Sequence, residues 1–359
     1  MESRFGQDDG DFRAYPVWRQ REKMKPIRLT DKSQIRLLLG IAFLLVCIAG
    51  FRQVGFDRDS LQYLESYQEF AGLLGADLRT REPTFWLITA IAKMLPGDGF
   101  RWVLLAYAVL GMAINVKAIQ KISPYPIMAL ICFAFLYFPL HTMTQIRASI
   151  ACGLLLLAIP DIADRRLKDF LIKVGMATLF HYSAIILVPL YLIRLNRLDF
   201  KLYAILPLAT LAFSLVNGLL LQAMAFLALA LPEVLGYKIS IYLTLLESEE
   251  KAPINLFSLY YLSVLFVYYL CIFNINKFSS KYEVLCIKIL GWSLGIYYAM
   301  SFLPVVAVRI SEMLGVVIVI VIPALVHKIK GRNEVLLITY AWLFAIFFNN
   351  VILHELFNF

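Results

Sequence analysis

The chain has 359 residues, of which 61% are hydrophobic and 16% charged, and its net charge is +9. A soluble domain averages roughly 45–50% apolar and about 25% charged residues, so a chain this apolar could not cover its own surface with polar groups. A water-soluble globular fold is thereby excluded, and one membrane body is the simplest organisation.

The charge is concentrated at the start, where residues 1–36 hold Arg4, Arg13, Arg19, Arg21, Lys23, Lys25, Arg28, Lys32 and Arg36. A basic run directly before an apolar segment marks the cytoplasmic side of a membrane rather than a nucleic-acid site. No nucleic-acid partner is therefore expected. Residues 1–34 read as a basic cytoplasmic segment, and residues 35–359 as a single transmembrane domain.

A bilayer core about 30 Å thick takes roughly 20 apolar residues per helix. In chain order the candidate spans are Ile35–Val54, Pro83–Leu95, Arg101–Ile119, Pro124–Leu140, Thr142–Pro160 and Phe170–Ile193. Then come Leu202–Leu221, Ile254–Phe273, Val284–Leu303, Val305–Val326 and Val335–Leu353, with a short apolar stretch at Gln222–Leu235 closed by Pro232 and Gly236. The first run lacks a small-residue cleavage site and reads as a retained anchor. The expected fold is an all-α polytopic integral membrane protein of roughly 10–12 transmembrane or re-entrant helices.

Basic loops around Arg165, Arg166 and Lys168, Arg194, Arg197 and Lys201, Lys277 and Lys281, and Lys328, Lys330 and Arg332 point to the cytoplasmic side. The loop from Gly55 to Glu82 and the acidic stretch Glu247, Glu249 and Glu250 then fall outside. These assignments do not alternate cleanly, and broken or re-entrant segments at Pro83–Leu95 and Phe170–Ile193 would restore the parity. Cys47, Cys132, Cys152, Cys271 and Cys286 sit inside apolar runs without C-x-x-C spacing, so neither disulfides nor a zinc site is expected.

Five constellations carry ionisable groups. After the first span, Asp57 and Asp59 precede Tyr63, Tyr67 and Phe70 at helical spacing. This is either an interfacial aromatic belt with solvated acids or the mouth of a cavity, where a carboxylate could accept a sugar hydroxyl proton and Tyr63 could pack on a sugar ring. Next, Arg79 and Arg81 stand on the external side, where basic residues are under-represented, and an anionic headgroup or phosphate would explain them. Glu82-Pro83 suits the start of a helix.

Gln145-Ile146-Arg147 lies one turn into a span. Either Arg147 snorkels to the interface or it faces the bundle interior and holds an anion with its planar fork. His181, in Phe180-His181-Tyr182-Ser183, is at membrane depth and could orient a phosphate oxygen or act as a base. Arg309 is followed three residues later by Glu312, which could pair with it; alternatively Arg147 and Arg309 together would clamp a pyrophosphate. His141, His327 and His354 fall at span ends or loops and read as solvated.

The order of these motifs resembles the EpsG family of Wzy-type polysaccharide polymerases. The matching residues are Asp57 and Asp59 with Tyr63 and Tyr67, Glu82-Pro83, Gln145-Ile146-Arg147-Ala148-Ser149-Ile150-Ala151, Phe180-His181-Tyr182-Ser183-Ala184 and Arg309. Such proteins often read Arg-Gln at the arginine motif, whereas here Gln145 precedes Arg147 and Ala148 follows it. The resemblance implies glycosyl transfer at the outer face of a bacterial plasma membrane. An undecaprenyl-diphosphate-linked glycan donor would pass its chain to a hydroxyl of a lipid-linked acceptor.

Under that resemblance the catalytic candidates are Arg147, Arg309, His181 and Asp59. The substrate-binding candidates are Asp57, Tyr63, Arg81, Glu82 and Gln145, and the general base is left open among Asp57, Asp59 and His181. No cofactor and no metal are expected, and a chain-length regulator, a flippase and membrane lipids are the expected partners. A glycan transporter or flippase would also line a cavity with arginines, but would usually show internal repeats, which are not visible here. A membrane acyltransferase centred on His181 would want a nucleophile or second acid beside it.

Overall fold

The computed structural model describes residues 32–78, 80–195, 200–215, 226, 229, 254–329, 331–353 and 356–357. Most of the basic N-terminal segment, Arg79, Arg197, Lys330, His354, the acidic stretch around Glu247 and most of Gln222–Leu235 lie outside the described residues.

Helix α1 (Lys32–Phe51) shows how the membrane shapes every element. Leu38, Ala42, Leu45 and Ala49 recur at helical spacing and form its buried stripe. Phe43, 71% exposed, and Leu37, Leu39, Leu44, Ile48 and Phe51 point away from the protein. In water that outer face would cost about 25 cal/mol per Å² of apolar surface, whereas in lipid it costs nothing. The same holds for α13 (Arg332–Phe348), where Leu337 is 72% exposed.

Between them, α2 (Ser60–Gln68), α3 (Pro83–Met94) and α4 (Gly99–Ile122) lead to α5 (Pro126–Leu136) and a π-helical turn at Phe138–Thr144. Helix α6 (Ile146–Ala163) forms the centre of the molecule, buried on nearly every side. Its pairing with α4 depends on small residues. A Cβ on Gly111 would stand 2.8 Å from Ser149 Oγ, and one on Gly153 would stand 2.7 Å from Ile114. Asn115 Nδ2 bridges the pair, donating to Gly111 O at 2.8 Å and to Ser149 O at 3.0 Å. With lipid on both sides there is little hydrophobic drive to associate, so such close approach and interhelical hydrogen bonds hold the helices together.

Helix α7 (Leu167–Phe180) ends at His181 and continues as a 3₁₀ helix over Tyr182–Leu192. After α8 (Phe200–Ser214) follow α9 (Leu259–Phe273), α10 (Lys281–Ala299), α11 (Pro304–Gly315) and α12 (Ile318–Val326). Among the described residues, four helices are long and apolar enough to cross a membrane, or six if each of two bent pairs is one span. The chain is therefore an all-α, multi-pass membrane protein. The bent pairs are α5 with the π turn, at 69°, and α11 with α12, at 47°.

Broken or re-entrant segments were expected at Pro83–Leu95 and Phe170–Ile193, and the second is broken at His181. Helix α3 is unbroken, but its 12 residues reach about 18 Å, short of a bilayer core of about 30 Å. The expected spans Pro124–Leu140 and Thr142–Pro160 need correction at their shared boundary. Pro139 sits in the π turn that folds residues 138–144 back, and α6 begins only at Ile146.

The basic loops converge at one end. Arg166 pairs with Asp161 at 2.7 Å, Lys173 with Asp161 at 2.6 Å, Lys281 with Asp164, and Lys328 with Glu283 at 3.1 Å. Arg165 donates to the carbonyls of Tyr191 and Ile193. At the opposite end the C-terminal segment meets the loop after α1, where Phe56 stacks on Phe357 with ring centroids 4.8 Å apart.

Candidate active site

The loop after α1 is rigid where it turns toward the protein. Gly55 has φ +85, a left-handed conformation that favours glycine. Two residues on, Asp57 is buried; its Oδ2 accepts from Arg52 Nε at 2.8 Å, and its Oδ1 accepts from the backbone N–H of Ser60 at 3.0 Å. Asp57 thus ties the end of α1 to the first turn of α2 and does not reach the cavity described below. Its neighbour Asp59 does, with Tyr63 one turn later along α2.

Tyr63 is buried, with the guanidinium carbons of Arg81 and Arg147 at 5.1 and 5.5 Å from its ring centroid. Arg81 is held over it by bonds from Nε to Ser66 Oγ at 3.1 Å and from Nη2 to Gln62 O at 3.2 Å. Arg81 therefore stands beside the cavity, fixed to α2, and does not line it.

Glu82 precedes Pro83, the first residue of α3, as the sequence predicts for a helix start. Its carboxylate does not cap that helix. Instead Oε2 accepts from Arg147 Nη1, and Oε1 accepts from the backbone N–H of Tyr182 at 3.2 Å, with His181 Nδ1 at 3.5 Å. The break after α7 is docked on the same loop, because Thr84 Oγ1 donates to Leu179 O at 2.7 Å and Tyr182 Oη to Leu78 O at 2.8 Å. Arg147 thus does not snorkel: it turns inward, as the cost of a lone guanidinium in hydrocarbon demands.

Arg147, Arg309, His181 and Asp59 line one cavity of about 150 Å³, together with Tyr63, Gln145, His141, Ala148 and Met313. The two arginines come from different helices, α6 and α11, and share this one cavity. Arg309 forms no salt bridge with Glu312 among the described residues; Glu312 lies instead against the Gln145 side chain. A larger depression of about 590 Å³ on the open face of α1 is lined by Ser33, Arg36 and apolar residues such as Leu37 and Leu44, with no convergence of charge.

Electrostatics divide the acids at this end. Burial raises the Asp59 carboxyl and the charge of Asp57 adds to that, while Arg147, Arg309 and Arg81 pull it down without prevailing. For Glu82 burial also acts upward, but hydrogen bonding from His181 and the charge and hydrogen bond of Arg147 overcome it and hold the carboxyl at about 2. Glu82 is thus a fixed anion, whereas the Asp59 carboxyl is shifted upward by its burial despite the guanidiniums of Arg147, Arg309 and Arg81. Two guanidiniums on one cavity wall suit a phosphate or diphosphate. Among the described residues no group of three or more His, Cys, Asp or Glu converges to hold a metal.

His141 corrects the reading of the sequence. Expected to be solvated, it is 2% exposed and lines the cavity, because the π turn folds it inward against Tyr137, with ring centroids 5.2 Å apart. The signal for it is Pro139 inside an apolar run two residues before a histidine, a place where a span must bend. His327 is also not simply solvated: its ring stacks on Tyr125 with centroids 3.4 Å apart, and its Nδ1 lies 2.7 Å from Pro323 O.

No curated protein and no solved structure matches the chain. A family model described as the EpsG family matches residues 35–359.

Proposed function

The chain belongs to the EpsG family of polysaccharide-biosynthesis membrane proteins, and from that premise we propose that it polymerises lipid-linked glycan repeat units. The donor is a growing chain on undecaprenyl diphosphate and the acceptor is a fresh repeat unit on the same lipid. The reaction takes place at the outer face of a bacterial plasma membrane, with the N-terminus in the cytoplasm. The observation that carries this reading is that Arg147 and Arg309, from separate helices, line one cavity with Asp59.

A sugar–diphosphate bond is already activated, so the main demand is to stabilise charge on the departing diphosphate. Two guanidiniums meet that demand, and Arg147, held by Glu82 before the substrate arrives, needs little reorganisation as charge develops. Arg147 is held by Glu82 and by Tyr63, and its guanidinium still lines the cavity where the ligand would sit. Glu82 and His181 position Arg147, while Asp59 and Tyr63 meet the sugar and Gln145 supplies an amide beside it. Arg81 extends the positive field toward the loop. A cavity of about 150 Å³ is smaller than the roughly 300–1,000 Å³ of a drug-sized site. It fits the reacting headgroup, with the glycan leading outward and the lipid tail along the apolar face.

The test is a cell-free assay with the purified protein in detergent and lipid-linked repeat units extracted from cells lacking this chain. A ladder of polymer on a gel that disappears in Arg147→Ala and Arg309→Ala, both still folded, is the expected result. No ladder from the wild-type protein on verified substrate overturns the polymerase reading in favour of transport. A flippase and a chain-length regulator are the partners this reaction calls for.

A further inference from the structure

Among the described residues, His141 is the cavity imidazole with no carboxylate beside it; its ring lies against Tyr137 and near the Gln145 side chain. Its side chain is buried, yet neither Nδ1 nor Nε2 has a hydrogen-bond partner there. Leaving a buried polar group unpaired costs roughly 1–3 kcal/mol, and natively folded proteins seldom tolerate it without a reason. His181 differs, because its Nδ1 faces Glu82 Oε1 at 3.5 Å and its position is set by the ion pair with Arg147. Asp59 differs too, since the guanidiniums of Arg147, Arg309 and Arg81 all act on its carboxyl. His141 opens onto the same space as the two arginines. Stacking on Tyr137 fixes the plane of the ring, so the imidazole is oriented without using either nitrogen.

We propose that His141 takes the proton from the attacking hydroxyl of the acceptor sugar. The inference rests on the polymerase reading given above. In the step, the acceptor oxygen forms a bond to the anomeric carbon of the donor sugar. The bond from that carbon to the diphosphate oxygen breaks, and its electron pair leaves on the diphosphate facing Arg147 and Arg309. The hydroxyl proton passes to a ring nitrogen of His141, which afterwards releases it to the departing diphosphate or to water. A neutral imidazole has one acceptor nitrogen and one N–H, so the second nitrogen can bond a neighbouring sugar hydroxyl and select the acceptor's orientation. The acceptor is thereby assigned to the His141 side of the cavity and the donor diphosphate to the arginine side.

The experiment compares wild type, His141→Ala and His141→Gln in the same polymer assay, with thermal unfolding in detergent as the check on folding. Removing a general base lowers the rate by about 10²–10⁴-fold, and the Michaelis constant for the lipid-linked substrate is expected to change little. Free imidazole added to His141→Ala should restore the ladder in part, which a packing defect would not permit. Gln keeps polarity and similar size but cannot take the proton, so His141→Gln should stay slow and gain nothing from imidazole. Full activity in both variants, or loss of activity without rescue, overturns the assignment. A wild-type protein that makes no polymer overturns the polymerase reading itself, a different result from active wild type with indifferent His141 variants.

Discussion

Glu82 and Arg147, 65 residues apart in the chain, form an ion pair in which the carboxylate is almost fully buried and the guanidinium mostly so. Burying both charges is tolerable only because the partners and their remaining hydrogen bonds are in place. Removing one partner leaves the other uncompensated. Glu82→Gln should therefore destabilise the protein by roughly 3–5 kcal/mol, read as a lowered unfolding midpoint in detergent.

That destabilisation should depend on pH in one direction. The Glu82 carboxyl is held at about 2 in the folded protein against an ordinary 4.5. A depressed carboxylate adds stability that is complete above the ordinary value and lost as pH falls toward the folded one. The difference corresponds to about 3 kcal/mol. The gap in unfolding midpoint between wild type and Glu82→Gln should stay constant from neutral pH to about pH 5 and narrow between about 4.5 and 2. A gap that does not shrink in that window would show that Glu82 acts through shape rather than charge.

Arg147→Lys is expected to be nearly as inactive as Arg147→Ala. A lysine keeps the positive charge but not the planar fork, which here must bond Glu82 with one nitrogen and reach the cavity with others. Loss of a pre-oriented donor to the transition state typically costs about 10²–10³-fold in rate. Polymer yield over time measures it, and a Lys variant as active as wild type would reduce the requirement to a simple point charge.

Asp57 and Asp59 should separate stability from activity. Asp57→Ala breaks the 2.8 Å pair with Arg52 and the bond from the Ser60 N–H, so it should lower the unfolding midpoint by an amount equivalent to roughly 3–5 kcal/mol. Asp59→Asn should leave that midpoint close to wild type while reducing polymer formation, because Asp59 faces the cavity and carries no such pair. The reverse pattern would exchange the roles of the two acids.

Gly153→Val should be among the most damaging substitutions remote from the cavity. The new side chain would collide with Ile114 and Asn115, at 2.7 and 3.0 Å from where its Cβ must stand. Overpacking a close contact of this kind usually costs about 1–3 kcal/mol, and here it would also stretch the Asn115 bridge between α4 and α6. Unfolding in detergent and the yield of monodisperse protein report the loss.

Much of this arrangement is legible in the residues themselves. An arginine amid Ala148, Ser149 and Ala151 has few tolerable positions except inside the bundle, and Arg147 is found there. The interruption of Phe170–Ile193 follows from mismatched loop charges, and the helix breaks at His181. Harder to read is the stretch before His141, where apolar composition runs on while the backbone turns by 69° between Leu136 and Phe138. Hydropathy counts residues and is blind to direction, so His141 looked like an end when it lies inside. Asp57 misleads for the opposite reason: beside Asp59 in sequence, it turns toward Arg52, and alternating direction around a turn separates neighbours that composition treats as equals.

The carboxylate of Glu82 also accepts the backbone N–H of Tyr182, the first residue after the break in α7. One side chain just before α3 therefore sets both the aim of a charge on α6 and the path of the chain after α7. Such sharing limits how the protein can diversify. The stretch before Glu82 can exchange residues more freely, but Glu82 cannot drift without Arg147 and the backbone at Tyr182 changing together. A chimera that receives a foreign loop should fold only if the junction falls before Glu82, so that Glu82, Arg147 and the backbone at Tyr182 stay together.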